Sequence, residues 1–390
     1  MDIEMDTLIP NQSVHTTLNA IFVSLELSRS TWLVTSLLPG GNDKMSRHTL
    51  HAGDLNGLHQ RLDKLSAKAK EQCNKVLPIV SIQEAGLDGF WIHRALLKTG
   101  VESHVVDAAS IATPRRFRRA KTDRLDGETL LRALLAHKRG EPRVCSMVVP
   151  PSPEEEDRRR ISRERRGLIA ERIRLVNRIK GLLFSQGVAG FEPLKRDRRK
   201  RFEEVATGDG RPLPNRLSDE IVRAFDRLEL LLEQIKAVEA DRDQEIAAAK
   251  TAESIPVGIA RLMTLKGVGP EFAEILWSEG LFRDFANRRQ LASYAGLTPT
   301  PWQSGSISHE QGVSKSGNPR LRTIMVQLAW FWLLHQPGSA LARWFKERVA
   351  LEGGRRRKPA IVALARKLLV ALWKFVKDGV VIEGAIIKSL

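Results

Sequence analysis

The sequence predicts an α/β domain followed by a mainly helical remainder, and three observations carry that expectation. Apolar runs of strand length alternate with helix-length amphipathic segments through the first 138 residues. A proline cluster at 142, 150, 151 and 153 then breaks the pattern. Beyond it lie two long stretches with apolar residues at heptad-like spacing, and after those, short helices punctuated by Gly and Pro. The expected partition is a polar tail over 1–18, an α/β domain over 19–148, a basic helical region read as a coiled coil over 149–252, a C-terminal domain over 253–348 and a basic C-terminal helix over 349–390.

Ile21 to Leu27 and Thr31 to Leu38 read as two strands of a hairpin around the turn-like Ser28-Arg29-Ser30. A third strand is expected near His48 to Ala52, a helix over Leu55 to Lys70, a buried strand over Leu77 to Gln83, a helix over Asp88 to Lys98 and a strand over Ser103 to Val106. Leu125 to Lys138 reads as a further helix. In the next region Ile161, Leu168, Leu175 and Leu182 recur every seven residues, as do Ile169, Val176 and Leu183, in an Arg-crowded helix. After the basic run KRDRRKR (195–201), Ile221, Ala224, Leu228, Leu231, Ile235 and Val238 keep the three-four spacing of a coiled-coil seam. Spacing leaves open whether the two helices pair with each other or with a second protomer. Trp302, Trp330 and Trp332 supply aromatic mass to the C-terminal domain, and a final amphipathic helix is expected around Ala360 to Lys377.

The chain has 390 residues, with 63 Lys plus Arg against 46 Asp plus Glu, a formal charge of +17. That surplus favours a polyanionic partner, most simply nucleic acid. With 42% hydrophobic residues the composition is that of a folded protein. No apolar run approaches the roughly 18 residues of a membrane helix. The acidic opening MDIEMDTLIPNQ lacks a signal peptide's basic start, so a cytoplasmic protein is expected. Cys73 and Cys145 are far apart and lack metal-site spacing, which argues against a disulfide framework or a zinc knuckle.

Glu26 interrupts an apolar strand and Glu84 directly follows another, positions where a carboxylate is costly unless paired, protonated or bound to a metal. Asp123 and Asp126 stand three apart at a helix start and so share a face. Such carboxylates can converge at the carboxyl edge of an α/β sheet, and hard oxygen ligands of this kind suit Mg²⁺ or Mn²⁺. The same spacing is met equally by aspartates capping a helix and glutamates paired with arginine. LKGVGPEFA (265–273) fits a tight hairpin between two helices, in which Lys266, Gly267 and Gly269 can face a DNA phosphate; a plain packing corner has the same signature. In the Gly/Ser/Pro-rich stretch that follows, Ser304 precedes a glycine that permits close approach of a substrate, although most such serines are turn formers. His309 is either a base for it or a solvated loop residue. Lys315, Arg320 and Arg322 surround a glycine turn suited to phosphate contacts, with Asn318 among them.

In order and spacing these motifs resemble the DEDD-type insertion-sequence transposases, the "IS one-ten" family, whose better-known members are bridge-RNA-guided DNA recombinases. The resemblance covers nearly the whole chain. Where the family reads VGIDVSK, YEAG and KTDRxDA, this sequence reads VSLELSR with Glu26, IQEAG with Glu84 and KTDRLDG with Asp123 and Asp126. The family's GVGP, AGLxP, SG and GNxxLR elements match 267–270, 295–299, 304–305 and 317–322. The resemblance implies a RuvC-like domain of the ribonuclease H fold, a coiled-coil middle and a C-terminal transposase domain. It implies that Ser304 is the nucleophile, that Glu26, Glu84, Asp123 and Asp126 hold Mg²⁺ or Mn²⁺, and that Lys121 and Arg124 join the nucleic-acid contacts. DNA, a structured guide RNA and a homodimer or tetramer are the partners it implies. Glu26 stands where the family carries Asp, and its extra methylene pushes the carboxylate outward by roughly one bond length, where Mg²⁺ demands a near-octahedral shell. A metal-dependent nuclease or Holliday-junction resolvase, and a catalytically decayed nucleic-acid-binding protein, are the competing readings.

Overall fold

The computed structural model describes residues 19–39, 44–86, 89–111, 123–142, 144–251, 257–304, 307–314, 317–351 and 357–388, in two compact units, 1–151 and 152–390. The first is an α/β unit. Strands β1 (Ile21–Leu27), β2 (Thr31–Leu37), β3 (Ser46–His51), β4 (Ile79–Glu84), β5 (Glu102–Val106) and β6 (Met147–Val148) form one sheet in the order β3-β2-β1-β4-β5-β6. β1 to β3 form an antiparallel meander, β4 and β5 run parallel to β1, and the short β6 closes the edge antiparallel. Period-two alternation divides β1 between two cores. Ile21, Val23 and Leu25 face α1 (Leu55–Cys73) and α2 (Trp91–Lys98), packing on Leu58, Leu62, Ile92 and Leu96. On the other face Phe22, with Val80 and Ile82 of β4, packs against Leu130, Leu131 and Leu134 of α3 (Asp123–Lys138). Both sheet faces are therefore covered by helices, as the alternating pattern predicts. Element ends shift by one to three residues from expectation, Glu84 lies within β4 rather than after it, and the two-residue β6 has no counterpart among the expected strands.

The second unit opens on α4 (Pro153–Phe184). Ser152 caps it in a reciprocal box with Glu155, Glu155 N donating to Ser152 Oγ at 3.2 Å and Ser152 N to Glu155 Oε2 at 2.9 Å. Pro153 thus begins a helix, at the position where its missing N–H costs nothing. After α5 (Arg198–Glu203), α6 (Asn215–Thr251) runs back along α4, with Arg178 paired to Glu220 and Arg165 to Glu239. The two heptad helices pair with each other within the chain: Val176, Ile179 and Leu183 meet Ile221, Ala224, Phe225 and Leu228. Within the basic run, Arg198 and Arg199 are engaged by Glu229, and Arg199 also by Asp226.

Helices α7 (Val257–Thr264), α8 (Pro270–Leu276), α9 (Arg288–Tyr294), α10 (Pro319–His335), α11 (Ala340–Leu351) and α12 (Arg357–Asp378) build the C-terminal core around Leu262, Met325, Trp332, Leu364 and Leu368. A π-helical turn over Trp277–Leu281 extends α8. Composition reads the Gly/Ser/Pro-rich stretch around Ser304 as a loop, yet β7 (Pro299–Ser304) and β8 (Ile307–Val313) form an antiparallel hairpin there. Prolines at 299 and 301 are compatible with it because a two-stranded ribbon has a free edge on each strand, and the register shifts between those two residues.

Candidate active site

The parallel register that sets Leu25 beside Gln83 brings Glu26 and Glu84 to the carboxyl ends of neighbouring strands. Strand spacing is about 4.8 Å. Alternation puts Glu26 on the same face as Phe22, and Glu84 on the same face as Val80 and Ile82, the face that α3 covers. Asp123 and Asp126 occupy the first turn of that helix. The helix start is fixed to β1 by Ser24, two residues before Glu26, whose Oγ donates to Gly127 O at 2.6 Å. Gly127 allows this approach: a Cβ there would lie 2.7 Å from Thr35 Oγ1. Glu26 is half-buried and Glu84 exposed. Asp126 Oδ2 is buried and has no hydrogen-bond partner among the described residues. The side chains of Asp123 and Arg124, and the whole of Lys121, lie outside the described residues. The described side chains alone do not close a metal-ligand cluster. The donor chemistry, carboxylate throughout with one buried oxygen lacking a partner, fits a hard divalent cation.

In the second unit Ser304 is the last residue of β7, in register with Ile307 across the hairpin tip, and Trp302 is in register with His309. The side chains of 301–304 and 307–311 lie outside the described residues, as does Lys315. The hairpin's base is held by Ser314 N donating to Thr298 O at 2.7 Å and Asn318 N donating to Tyr294 O at 2.6 Å. Gly317, at φ +97°, makes the second contact possible, since a Cβ there would meet the Tyr294 carbonyl at 2.5 Å. Asn318 is the joint. Its Oδ1 caps α10 by accepting from Arg320 N and Leu321 N, and its Nδ2 donates to Glu279 Oε2 at 3.0 Å. Arg322 is half-buried one turn along.

Glu279 was invisible to motif reading. Its side chain is only 5% exposed and is approached by Arg320 at 3.3 Å and Arg163 of α4 at 3.4 Å. Burial alone would raise its carboxyl; the Asn318 amide and the charges of Arg163, Arg320 and Arg159 outweigh it and hold the group below the usual carboxylate range. The carboxylate inside the apolar LWSEGLF was the available signal, the same one that drew attention to Glu26. In the α7–α8 corner, Lys266 N donates to Ile386 O, and Gly267 packs against His335. Gly269 is the N-cap of α8.

Residues 259–344 match the family model described as transposase IS116/IS110/IS902 family. The chain is similar to the putative transposase y4rJ of Sinorhizobium fredii, 64% identical over 378 residues, which is 95% of this chain and 96% of the relative. The chain belongs to the IS110/IS116 family of transposases. The chain is also similar to the transposase for insertion sequence element IS1328 of Yersinia enterocolitica, 28% identical over 61% of this chain and 70% of that relative. The insertion element IS110 43.6 kDa protein of Streptomyces coelicolor is 27% identical over 49% of this chain and 50% of its own length. The family model spans the π-turn, the β7–β8 hairpin, the whole of α10 and the start of α11, so the Glu279–Asn318 joint lies inside the transposase region. Among the described residues no helix is long and apolar enough to cross a membrane.

Proposed function

We propose that this IS110-type transposase cleaves and rejoins DNA strands with Ser304 as nucleophile and with Glu26, Glu84, Asp123 and Asp126 as a divalent-metal centre. The observation that supports the reading best is the gathering of Glu26, Glu84 and the first turn of α3 on one face at the carboxyl edge of the sheet, with a buried Asp126 oxygen that has no hydrogen-bond partner among the described residues. The four carboxylates would hold Mg²⁺ or Mn²⁺, which when bound supplies charge neutralisation at a scissile phosphate. Ser304 Oγ attacks phosphorus, forming a serine–phosphate ester as the bond to one strand oxygen breaks, and the serine proton ends on that leaving oxygen. A strand hydroxyl then displaces the serine, restoring a phosphodiester and the free hydroxyl, with no water consumed. The enzyme works as a homodimer or tetramer, and a structured guide RNA selects the DNA. Lys121, Arg124, Lys266, Lys315, Arg320 and Arg322 supply phosphate contacts.

Cleavage of a DNA junction in Mg²⁺ tests the acidic centre. Asp126→Asn keeps the shape and removes the charge, so cleavage should fall below detection while DNA binding persists. Cleavage at the wild-type rate would remove Asp126 from the mechanism. Glu26 in place of Asp favours the decayed-protein reading, under which the wild type itself would cleave no better than Asp126→Asn.

A further inference from the structure

A groove of about 660 Å³ in the second unit is lined by Arg288 and Arg289 at the start of α9 and by Arg366, Lys367 and Lys374 of α12, with no acidic residue among its walls. None of these five cations is in an ion pair among the described residues, although the chain has carboxylates enough to engage Arg165, Arg198, Arg199 and Arg320 elsewhere. Lys367 instead lies over the Trp344 ring, 4.8 Å from its centroid. On α12, Ala363, Arg366, Lys367, Val370, Ala371 and Lys374 follow helical spacing, so cations and small apolar residues form one stripe opposite the buried Leu364, Leu368 and Leu372. The stripe from Arg366 to Lys374 is about 12 Å long at 1.5 Å per residue. One strand of a duplex carries a phosphate about every 3.4 Å of its axis, so the stripe is long enough to span about three phosphate intervals.

We infer that this α9–α12 groove is a binding site for the sugar–phosphate backbone of duplex DNA, built from residues other than those of the Ser304 hairpin and of the acidic sheet edge. The floor decides between deoxyribose and ribose: Leu341, Ala363, Val370 and Ala371 offer no hydrogen-bonding side chain to a 2′-hydroxyl, which would be desolvated without compensation there. Phosphate contacts of this kind position a duplex and carry no sequence information, so the groove sets affinity and register rather than target choice.

The inference rests on the DNA-acting reading above, and the experiment separates the two. Full-length protein is titrated with a labelled DNA duplex of arbitrary sequence over a salt series, beside a matched RNA duplex. Arg366→Gln with Lys374→Gln, and separately Arg288→Gln with Arg289→Gln, should each reduce the slope of log K against log salt by about 1.8, or about 0.9 per phosphate lost. Between 50 and 200 mM salt each double variant then loses about tenfold less affinity than wild type. Thermal melting by circular dichroism should be unchanged, because the altered groups make no ion pair among the described residues. Lys64→Gln with Lys68→Gln, on exposed positions of α1, should leave the slope as it is. Wild-type slopes in both groove variants, an equal loss in the α1 control, or a loss confined to RNA would each overturn the inference. Absence of salt-dependent DNA binding by the wild type would defeat the DNA-acting reading itself and the groove with it.

Discussion

Gly127 shows how a single missing methyl group lets a helix sit close against a sheet. Its Cβ would meet the buried Thr35 hydroxyl at 2.7 Å, so the helix that carries Asp126 lies closer to β2 than a side chain at 127 would permit, and the Ser24 hydroxyl, donating to the Gly127 carbonyl, ties it to β1. Gly127→Ala should therefore cost about 1–3 kcal/mol by overpacking, despite alanine's better helix propensity. Adding Thr35→Ala removes the obstructing hydroxyl. The double variant should regain the loss, giving a coupling above about 1 kcal/mol in denaturant melts, and additive behaviour would show that the two residues do not oppose one another. The family resemblance places alanine in this position, and only the structure reveals what glycine accommodates. Glu26 stands out in the sequence because a carboxylate in an apolar strand conflicts with burial, whereas Glu84, at the end of its strand, is exposed; Glu279 carries the same signal as Glu26 but no motif around it.

Among the elements, α8 carries a second buried carboxylate with a different fate. Glu274 is 6% exposed, and burial pushes its carboxyl up to about 7, with Arg158 and Arg242 opposing and Glu245 reinforcing. The folded chain thus favours the protonated form. Its contribution to stability is full below the ordinary value of 4.5 and is lost as pH rises through 7. Glu274→Gln, which stays neutral, should melt higher than wild type at pH 8, by up to about 3 kcal/mol, and close to it at pH 4.5. A difference that does not vary with pH would place the charge elsewhere. The α4–α6 pair is a second element-scale test. Leu228 is fully buried against α4 residues, so Leu228→Ala should destabilise the second unit by about 2–5 kcal/mol without changing the assembly's mass in light scattering. Dissociation of a folded protein would mean that the seam also joins protomers. Seven-residue recurrence in α4 and three-four spacing in α6 mark apolar faces in the sequence, but not their partner, because heptads specify a face and not what covers it. The β7–β8 hairpin escaped for the opposite reason: Pro, Gly and Ser dominate its local signal, and the register that makes it a ribbon is non-local.

At the scale of the whole molecule, sequence order alone conveyed an α/β unit followed by a helical one, since alternating periods of two and 3.6 survive without tertiary information. The α9–α12 groove did not, because Arg288 and Lys374 are far apart in the chain and meet only through packing. What unites the two units functionally is the claim that Ser304 and the acidic centre serve one reaction. Groups that act as a unit are non-additive, so Ser304→Ala, Asp126→Asn and the double variant should lose strand exchange to a similar extent. The most direct measurement traps wild-type protein on a nicked DNA substrate in Mg²⁺, denatures it, and maps any covalent DNA adduct by peptide mass spectrometry. The account predicts an adduct on the peptide containing Ser304 that is absent from Ser304→Ala; an adduct retained by Ser304→Ala, or cleavage by the wild type with no adduct at all, would contradict it.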